Sequence, residues 1–310
     1  MQVLWMVASA FLFASMGVFV KLASAFFTTP EIVFYRGLIG IAVLWWLARQ
    51  QGVGLGTRHP WRHAWRSTLG VTAMGCWFYA VAHMPLATGM TFSYTSSLWM
   101  AAFLAVGALW TWRPGYTGTR RSVHLPLLGT IVLGFVGVVL LLQPSLAVRA
   151  QGTAALVGSV SGLLSAMAYM QVSALARAGE PEARTVFYFC VACCVGGGAL
   201  MLPQGLSPWP GVQAAAYLLP MGLLAAGGQL CMTRAYTCAR TPRATLVAAN
   251  LQYTGLIFAS AYSLWWFNDQ INALGWLGMA LVAISGIAAS ALRGRSAAPV
   301  PVPAAASSSK

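Results

Sequence analysis

Ten apolar stretches follow one another along this chain with little polar sequence between them: 3–23, 31–48, 68–84, 86–111, 125–143, 153–175, 185–203, 212–233, 243–266 and 271–291. A helix rises about 1.5 Å per residue, so each stretch is close to the length that crosses a ~30 Å hydrocarbon core with some tilt. The expected fold class is all-α and integral to a membrane, with ten transmembrane helices. Composition closes off the alternatives. Of the 310 residues, 59% are hydrophobic and 7% charged, too few polar groups to cover a water-exposed surface of that size. The longest polar insertions, 49–67 and 112–124, are too short for a core of their own. The tail at 293–310, rich in Ser, Ala and Pro with no apolar period, is expected to be a disordered cytoplasmic end.

The cations orient the spans. Arg49, Arg58, Arg62 and Arg66 fall in the gap after the second stretch, and Arg113, Arg120 and Arg121 in the gap after the fourth. Arg177 and Arg184 follow the sixth, Arg234, Arg240 and Arg243 the eighth, and Arg293, Arg295 and Lys310 the tenth. The intervening gaps, with the span ends that flank them, hold only Lys21, Arg36 and Arg149. The positive-inside rule then puts both termini in the cytoplasm, which requires an even number of spans. The net charge of +14 is spread over five cytoplasmic segments, where anionic lipid headgroups supply the counter-charge. No stripe of cations with stacking aromatics is present, so membrane lipids are expected partners and nucleic acid is not. Trp5, Trp110, Trp112, Trp265 and Trp266 lie near span ends, where indole rings anchor at the interface.

The chain also repeats itself. An offset of 155 residues aligns 78–110 with 233–265, within the segment 233–266, pairing Ala80 with Ala235 and Trp110 with Trp265, and an offset of 149 pairs Gly129 with Gly278 and Gly137 with Gly286. Two five-span units follow, 1–143 and 152–292. Because five is odd, the second enters the membrane from the opposite side, which is the inverted repeat of many transporters. The sequence Ala23-Ser24-Ala25 resembles a leader cleavage site, but the second unit has a counterpart to the first span, which is therefore read as a retained helix.

The segments PEIVFYRGLIG (30–40), FYAVAHMPLATG (78–89), LLGTIVLGFVGVVLLLQP (127–144) and MTRAYTCARTPRATLVAANLQY (232–253) resemble the ten-helix EamA-type branch of the drug/metabolite transporter superfamily. The resemblance covers nearly the whole chain. It implies a central cavity between two five-helix halves, walled by the first, third, fourth, sixth, eighth and ninth helices. Cargoes in such a family include amino acids, nucleotide-like metabolites and other small organics, many of them exported. Members often close the fourth and ninth helices with a Glu, where this chain has Trp112-Arg113 and Asp269.

Polar side chains are costly in hydrocarbon, so their depth points to a site. Thr91, Ser93, Tyr94, Thr95, Ser96 and Ser97 lie about 9–18 Å along the fourth span from Pro85, and Asn250, Gln252, Tyr253 and Thr254 about 12–18 Å along the ninth from Pro242. The 155-residue offset sets Thr95 against Asn250 and Ser97 against Gln252 across a pseudo-two-fold axis. Ser and Thr most simply bond back to their own helix, whereas the bulkier Asn250, Gln252 and Tyr253 have fewer local partners and are read as cavity lining. Trp77, Tyr79, Tyr169, Gln171 and Gln229 complete the candidate pocket. His83, just before Met84-Pro85, is a candidate gate or proton-sensitive group. Lys21, Glu31 and Arg36 form a charged set at the external ends of the first two spans, with Glu31 the expected ion-pair partner of Arg36.

Cys190 and Cys193 have the spacing of a ligand pair, but no His or carboxylate stands near them in the seventh span. All six cysteines are read as free thiols, with no metal site and no cofactor. Gly158 and Gly162 fit a close helix approach, within a monomer or between two copies in a homodimer. The four carboxylates, Glu31, Glu180, Glu182 and Asp269, lie in loops or at span ends, so a polytopic enzyme acting on a lipid-linked substrate has no acid/base pair to work with. The reading is a secondary transporter of small organic metabolites in a bacterial-type inner membrane. Without a carboxylate near the midplane, an Asp/Glu proton relay has no residue to use, and a neutral, zwitterionic or amphipathic cargo such as an amino acid is expected.

Overall fold

The computed structural model describes residues 1–83, 92–110, 125–142, 152–205, 207–208, 211–266 and 272–294. Every regular element among them is a helix: α1 (Gln2–Ala23), α2 (Thr29–Gln50), α3 (Pro60–His83), α4 (Ser96–Trp110), α5 (Leu125–Leu142), α6 (Gly152–Arg177), α7 (Glu182–Gln204), α8 (Val212–Ala216), α9 (Leu218–Thr237), α10 (Pro242–Leu251), α11 (Thr254–Trp266) and α12 (Ala273–Gly294). Joining α8 to α9 and α10 to α11 across their one- and two-residue breaks leaves ten helical units. Four stretches among the described residues, Gln2–Ala23, Thr29–Gln50, Leu156–Arg177 and Glu182–Pro203, are long and apolar enough on their own to cross a membrane. Large apolar side chains such as Leu202 (85% exposed), Ile287 (71%) and Leu156 (67%) point outward. Left uncovered by the described residues, these groups belong against lipid tails.

Helix ends follow the local sequence. Pro30 sits in the first turn of α2, where its missing N–H is no loss, and the Glu31 carboxylate accepts from the backbone N–H and hydroxyl of Thr28 ahead of it. Thr241 caps α10 by accepting from the Ala244 N–H, and Pro242 opens that helix. Gly179 and Gly205, with φ of +82° and +76°, let the chain leave α6 and α7. Between α10 and α11 the bonds Gln252 N–H to Ala249 O and Gly255 N–H to Gln252 O tighten the backbone into a 3₁₀-like turn. The ninth apolar stretch is thus two half-helices joined at Gln252 and Tyr253.

Small residues set the closest packing. α2 lies along α7, α3 along α6, α1 along α9, and α5 along α12. A Cβ at Gly37 would stand 2.7 Å from the Cys190 carbonyl and 2.8 Å from the Cys194 nitrogen, and one at Gly40 2.5 Å from the Cys190 sulfur. The cysteines of α7 therefore fill the groove that two glycines of α2 leave open, and all six in the chain are free. Gly158 and Gly162 of α6 make room in the same way for Phe92 and Thr95, so the GxxxG pair serves a contact within the chain.

Two carboxylates tie helix starts to loops at opposite ends of the α2–α7 pair. Glu31 at the start of α2 accepts from the backbone N–H and the hydroxyl of Ser207, both at 2.7 Å, beyond the end of α7. Glu180, just before α7, accepts from the Thr57 hydroxyl at 2.6 Å, beyond the end of α2, and from Arg184 at 2.9 Å, which also donates to Gly54 O. Glu31 is thus bonded to Thr28 and Ser207 rather than paired with Arg36. Lys21 lies in the last turn of α1, exposed.

Candidate functional site

Two clusters of buried apolar side chains, one around Met6, Met100 and Val247 and the other around Met16, Phe78 and Met221, leave a cavity of about 220 Å³ between them. Met6 and Met16 line it together with Phe13, all from α1. α3 contributes Arg66, Gly70, Met74 and Trp77; α6 contributes Ser165 and Tyr169; α9 contributes Gln229 and Met232; residues 93 and 94 and the α10–α11 turn supply Ser93, Tyr94 and Gln252. α2 and α7, outside the walls that the family resemblance implies, add Arg36 and Phe189.

One part of the wall is neutral and aromatic. The break between α10 and α11 turns Gln252 inward, and its Nε2 donates to the Tyr236 hydroxyl at 2.9 Å. Tyr236 stacks on Tyr169 with ring centroids 5.6 Å apart, and Tyr94 packs edge-on against Tyr253 at 5.8 Å. The other part is cationic. The Arg66 guanidinium lies over the Phe189 ring at 4.0 Å from its centroid, and that of Arg36 lies at 5.8 Å from the same centroid. Arg66 is 1% and Arg36 8% exposed. No Asp or Glu is among the described lining residues. Nε and Nη1 of Arg66 and Nε1 of Trp77 are buried without a hydrogen-bond acceptor among the described residues.

The remaining sequence candidates lie elsewhere. Asn250 is 1% exposed and is engaged between helices: its Nδ2 donates to Thr130 Oγ1 of α5 at 3.1 Å, and its Oδ1 accepts from Ser285 of α12 at 3.3 Å. Ser97 donates to Ala249 O at 2.8 Å and Thr95 to Phe92 O at 2.6 Å, so both hydroxyls are engaged with backbone. Tyr253 is fully buried in the seam beside Gly134 and Val138 of α5. Tyr79 is 41% exposed and not part of the cavity wall. His83 closes α3, and its side chain lies outside the described residues, as does Asp269. Trp77, Tyr94, Tyr169, Gln229 and Gln252 are brought together on the wall.

Known proteins resemble this chain over nearly its whole length. The pseudopaline exporter CntI of Pseudomonas aeruginosa is 30% identical over 295 residues, covering 93% of this chain and 95% of that protein. The chain belongs to that family of membrane transporters. The riboflavin transporter of Rhizobium johnstonii is 28% identical over 239 residues, covering 76% of this chain and 74% of that protein. A solved protein crystal structure at 16% identity shares the fold, with a TM-score of 0.74 over 96% of this chain and 98% of the other. No family model matches the sequence. The protein is accordingly a multi-pass membrane transporter of small molecules.

Arg66 is the cavity residue that the charge pattern hid. The positive-inside count assigns it to a cytoplasmic gap, yet α3 begins at Pro60, eight residues before the apolar stretch. The local signal was present. Pro60 fits the first turn of a helix, and Arg66, Gly70, Ala73 and Trp77 then recur at four-, three- and four-residue steps on one helix face. Arg36 and Arg66 together overturn the expectation of a cavity without fixed charge.

Proposed function

We propose that this transporter is an EamA-type secondary exporter in a bacterial inner membrane. It moves small organic metabolites such as amino acids by alternating access between two inverted repeats, 1–143 and 152–292, with both termini and the 293–310 tail in the cytoplasm. The observation that carries the reading is the cavity wall, which is drawn from both halves of the chain: α1, α2 and α3 from one, α6, α7 and α9 from the other. A volume of about 220 Å³ suits a small metabolite better than a drug-sized ligand, whose sites run to ~300–1,000 Å³.

Packing supports the repeat. Exchanging the halves, first span for sixth and so on, turns the contact of α3 with α6 into that of α9 with α1, and maps the α2–α7 and α5–α12 pairs onto themselves. The ties made by Glu31 and Glu180 exchange in the same way. Two halves of similar build can swap conformations at nearly equal energy, which turns an inward-facing cavity outward.

The test is release from proteoliposomes loaded with a cytosolic metabolite extract, followed by mass spectrometry. A restricted set of compounds should cross faster than in protein-free vesicles, whereas identical release from both refutes the function. A C-terminal reporter active only outside the inner membrane should stay silent.

A further inference from the structure

We infer that the cavity selects organic anions, and that Arg36 and Arg66, with the Trp77 indole N–H, form the subsite that takes a carboxylate of the cargo. The inference rests on the transporter reading above and adds its substrate class. Both guanidiniums lie within 6 Å of one ring centroid, so their carbon atoms are at most about 10 Å apart. Arginine is a donor with no acceptor capacity and stays protonated, and indole is likewise a donor only. Among the described residues this part of the wall therefore offers N–H groups and positive charge and no carboxylate, and the Phe189 face that could attract a cation is already shared by the two guanidiniums.

Arg36 Nη1 donates to the Met74 sulfur at 2.6 Å, a weak acceptor, and no carboxylate engages either cation among the described residues. Glu31 is bonded to Thr28 and Ser207, and Glu180 to Thr57 and Arg184, so neither neutralises the cavity. Nε and Nη1 of Arg66 and Nε1 of Trp77 are buried yet unbonded among the described residues. A buried donor without an acceptor is costly, and a buried charge more so. A carboxylate would satisfy both at once, because the planar guanidinium matches its two oxygens. Phe189 holds the two cations over its ring from the side. The neutral wall of Tyr94, Tyr169 and Gln252 is left to hold the uncharged remainder of the molecule.

The same loaded proteoliposomes decide the matter. Every compound released by the unaltered protein is classified by net charge at the assay pH. Compounds with a carboxylate and a net negative charge at the assay pH, acidic amino acids among them, should dominate, and Arg66→Gln should slow their release at least tenfold. Arg66→Lys, which keeps the charge without the fork, should lie between the two, and Arg62→Gln on the exposed side of the same helix should match the unaltered protein. A released set that is mainly neutral or cationic overturns the anion subsite while leaving transport intact. Full release by a correctly inserted Arg36→Gln/Arg66→Gln double variant overturns it as well. Absence of any protein-dependent release removes the transporter reading and this inference with it.

Discussion

Replacing Arg66 by methionine should make the protein more stable and unable to recognise its cargo. Three effects of known sign act on the free protein. The guanidinium is 1% exposed with two nitrogens unbonded among the described residues, and the desolvation penalty for such an ion is several kcal/mol. Arg36 lies at most about 10 Å away by way of the shared Phe189 ring; at an effective dielectric constant of about 20, two like charges at that distance repel by about 1.7 kcal/mol. Opposing these, the contact with the Phe189 ring is lost, worth about 2 kcal/mol when desolvated. A thioether of similar length recovers part of that contact, because sulfur packs well against aromatic edges. The balance favours Arg66→Met by roughly 1–4 kcal/mol, the range seen when buried ions give way to apolar groups. Unfolding of the detergent-solubilised protein, followed by tryptophan fluorescence, should show a higher midpoint for Arg66→Met and none for Arg62→Met, whose parent side chain is exposed. A loss of more than about 1 kcal/mol in Arg66→Met would mean that the guanidinium is held by acceptors in the free protein, and the argument for a poised anion site would fail.

Other consequences can be checked separately. Asn250→Leu should cost roughly 1–3 kcal/mol, because it removes the two hydrogen bonds by which Asn250 links Thr130 of α5 to Ser285 of α12; the expected mark is a lower unfolding midpoint with the cargo preference unchanged. Gly37→Ala should be destabilising by about 1–3 kcal/mol, since its methyl would meet the backbone of α7 at 2.7 Å, and Cys190→Ala should relieve Gly40→Ala but not Gly37→Ala in a double-mutant comparison. The Glu180 tie should loosen in acid. Burial holds the His63 imidazole below its ordinary value despite the Glu180 carboxylate 3.3 Å away, and although burial pushes Glu180 up, the hydrogen bonds from Thr57 and Arg184 and the nearby imidazole hold it below the usual carboxylate value. Both depressed groups add stability above their unfolded values, about 6.5 and 4.3, and lose it as the pH falls through their folded ones. Protection against hydrogen exchange over 51–59, corrected for the intrinsic rate at each pH, should therefore fall below about pH 6 as His63 takes up a proton and again below about pH 4 as Glu180 does, and unchanged protection down to about pH 3 would show that the carboxylate does not hold the loop.

The ten apolar stretches were legible because hydrophobic length alone decides where a chain crosses lipid. Helix starts were less so. Pro60 and the loop before it are polar, and a hydropathy boundary cannot tell a helix that projects beyond the membrane from a loop, which is how Arg66 came to be counted with surface cations. Depth along the fourth and ninth spans located the polar belt but not its facing. Asn250 and Gln252 are two residues apart, and the 3₁₀-like turn after Leu251 determines that Gln252 meets the cavity while Asn250 meets α5 and α12. Arg36 was visible as an isolated charge in a span. Its association with Phe189, far away in sequence, depends on the α2–α7 packing that no local pattern encodes.

The bonds of Glu31 and Glu180 have a mechanical meaning. One brace joins the start of α2 to the loop leaving α7, and the other joins the start of α7 to the loop leaving α2. With glycine and cysteine meshed along the seam between them, the pair cannot slide or splay without breaking a charged hydrogen bond at one end or the other. A rearrangement that preserves both braces must turn the other helices about α2 and α7 as a common pivot. Arg36 and Phe189 would ride on that pivot, whereas Arg66 sits on α3, outside it, so such a rearrangement would change the spacing of the two cations.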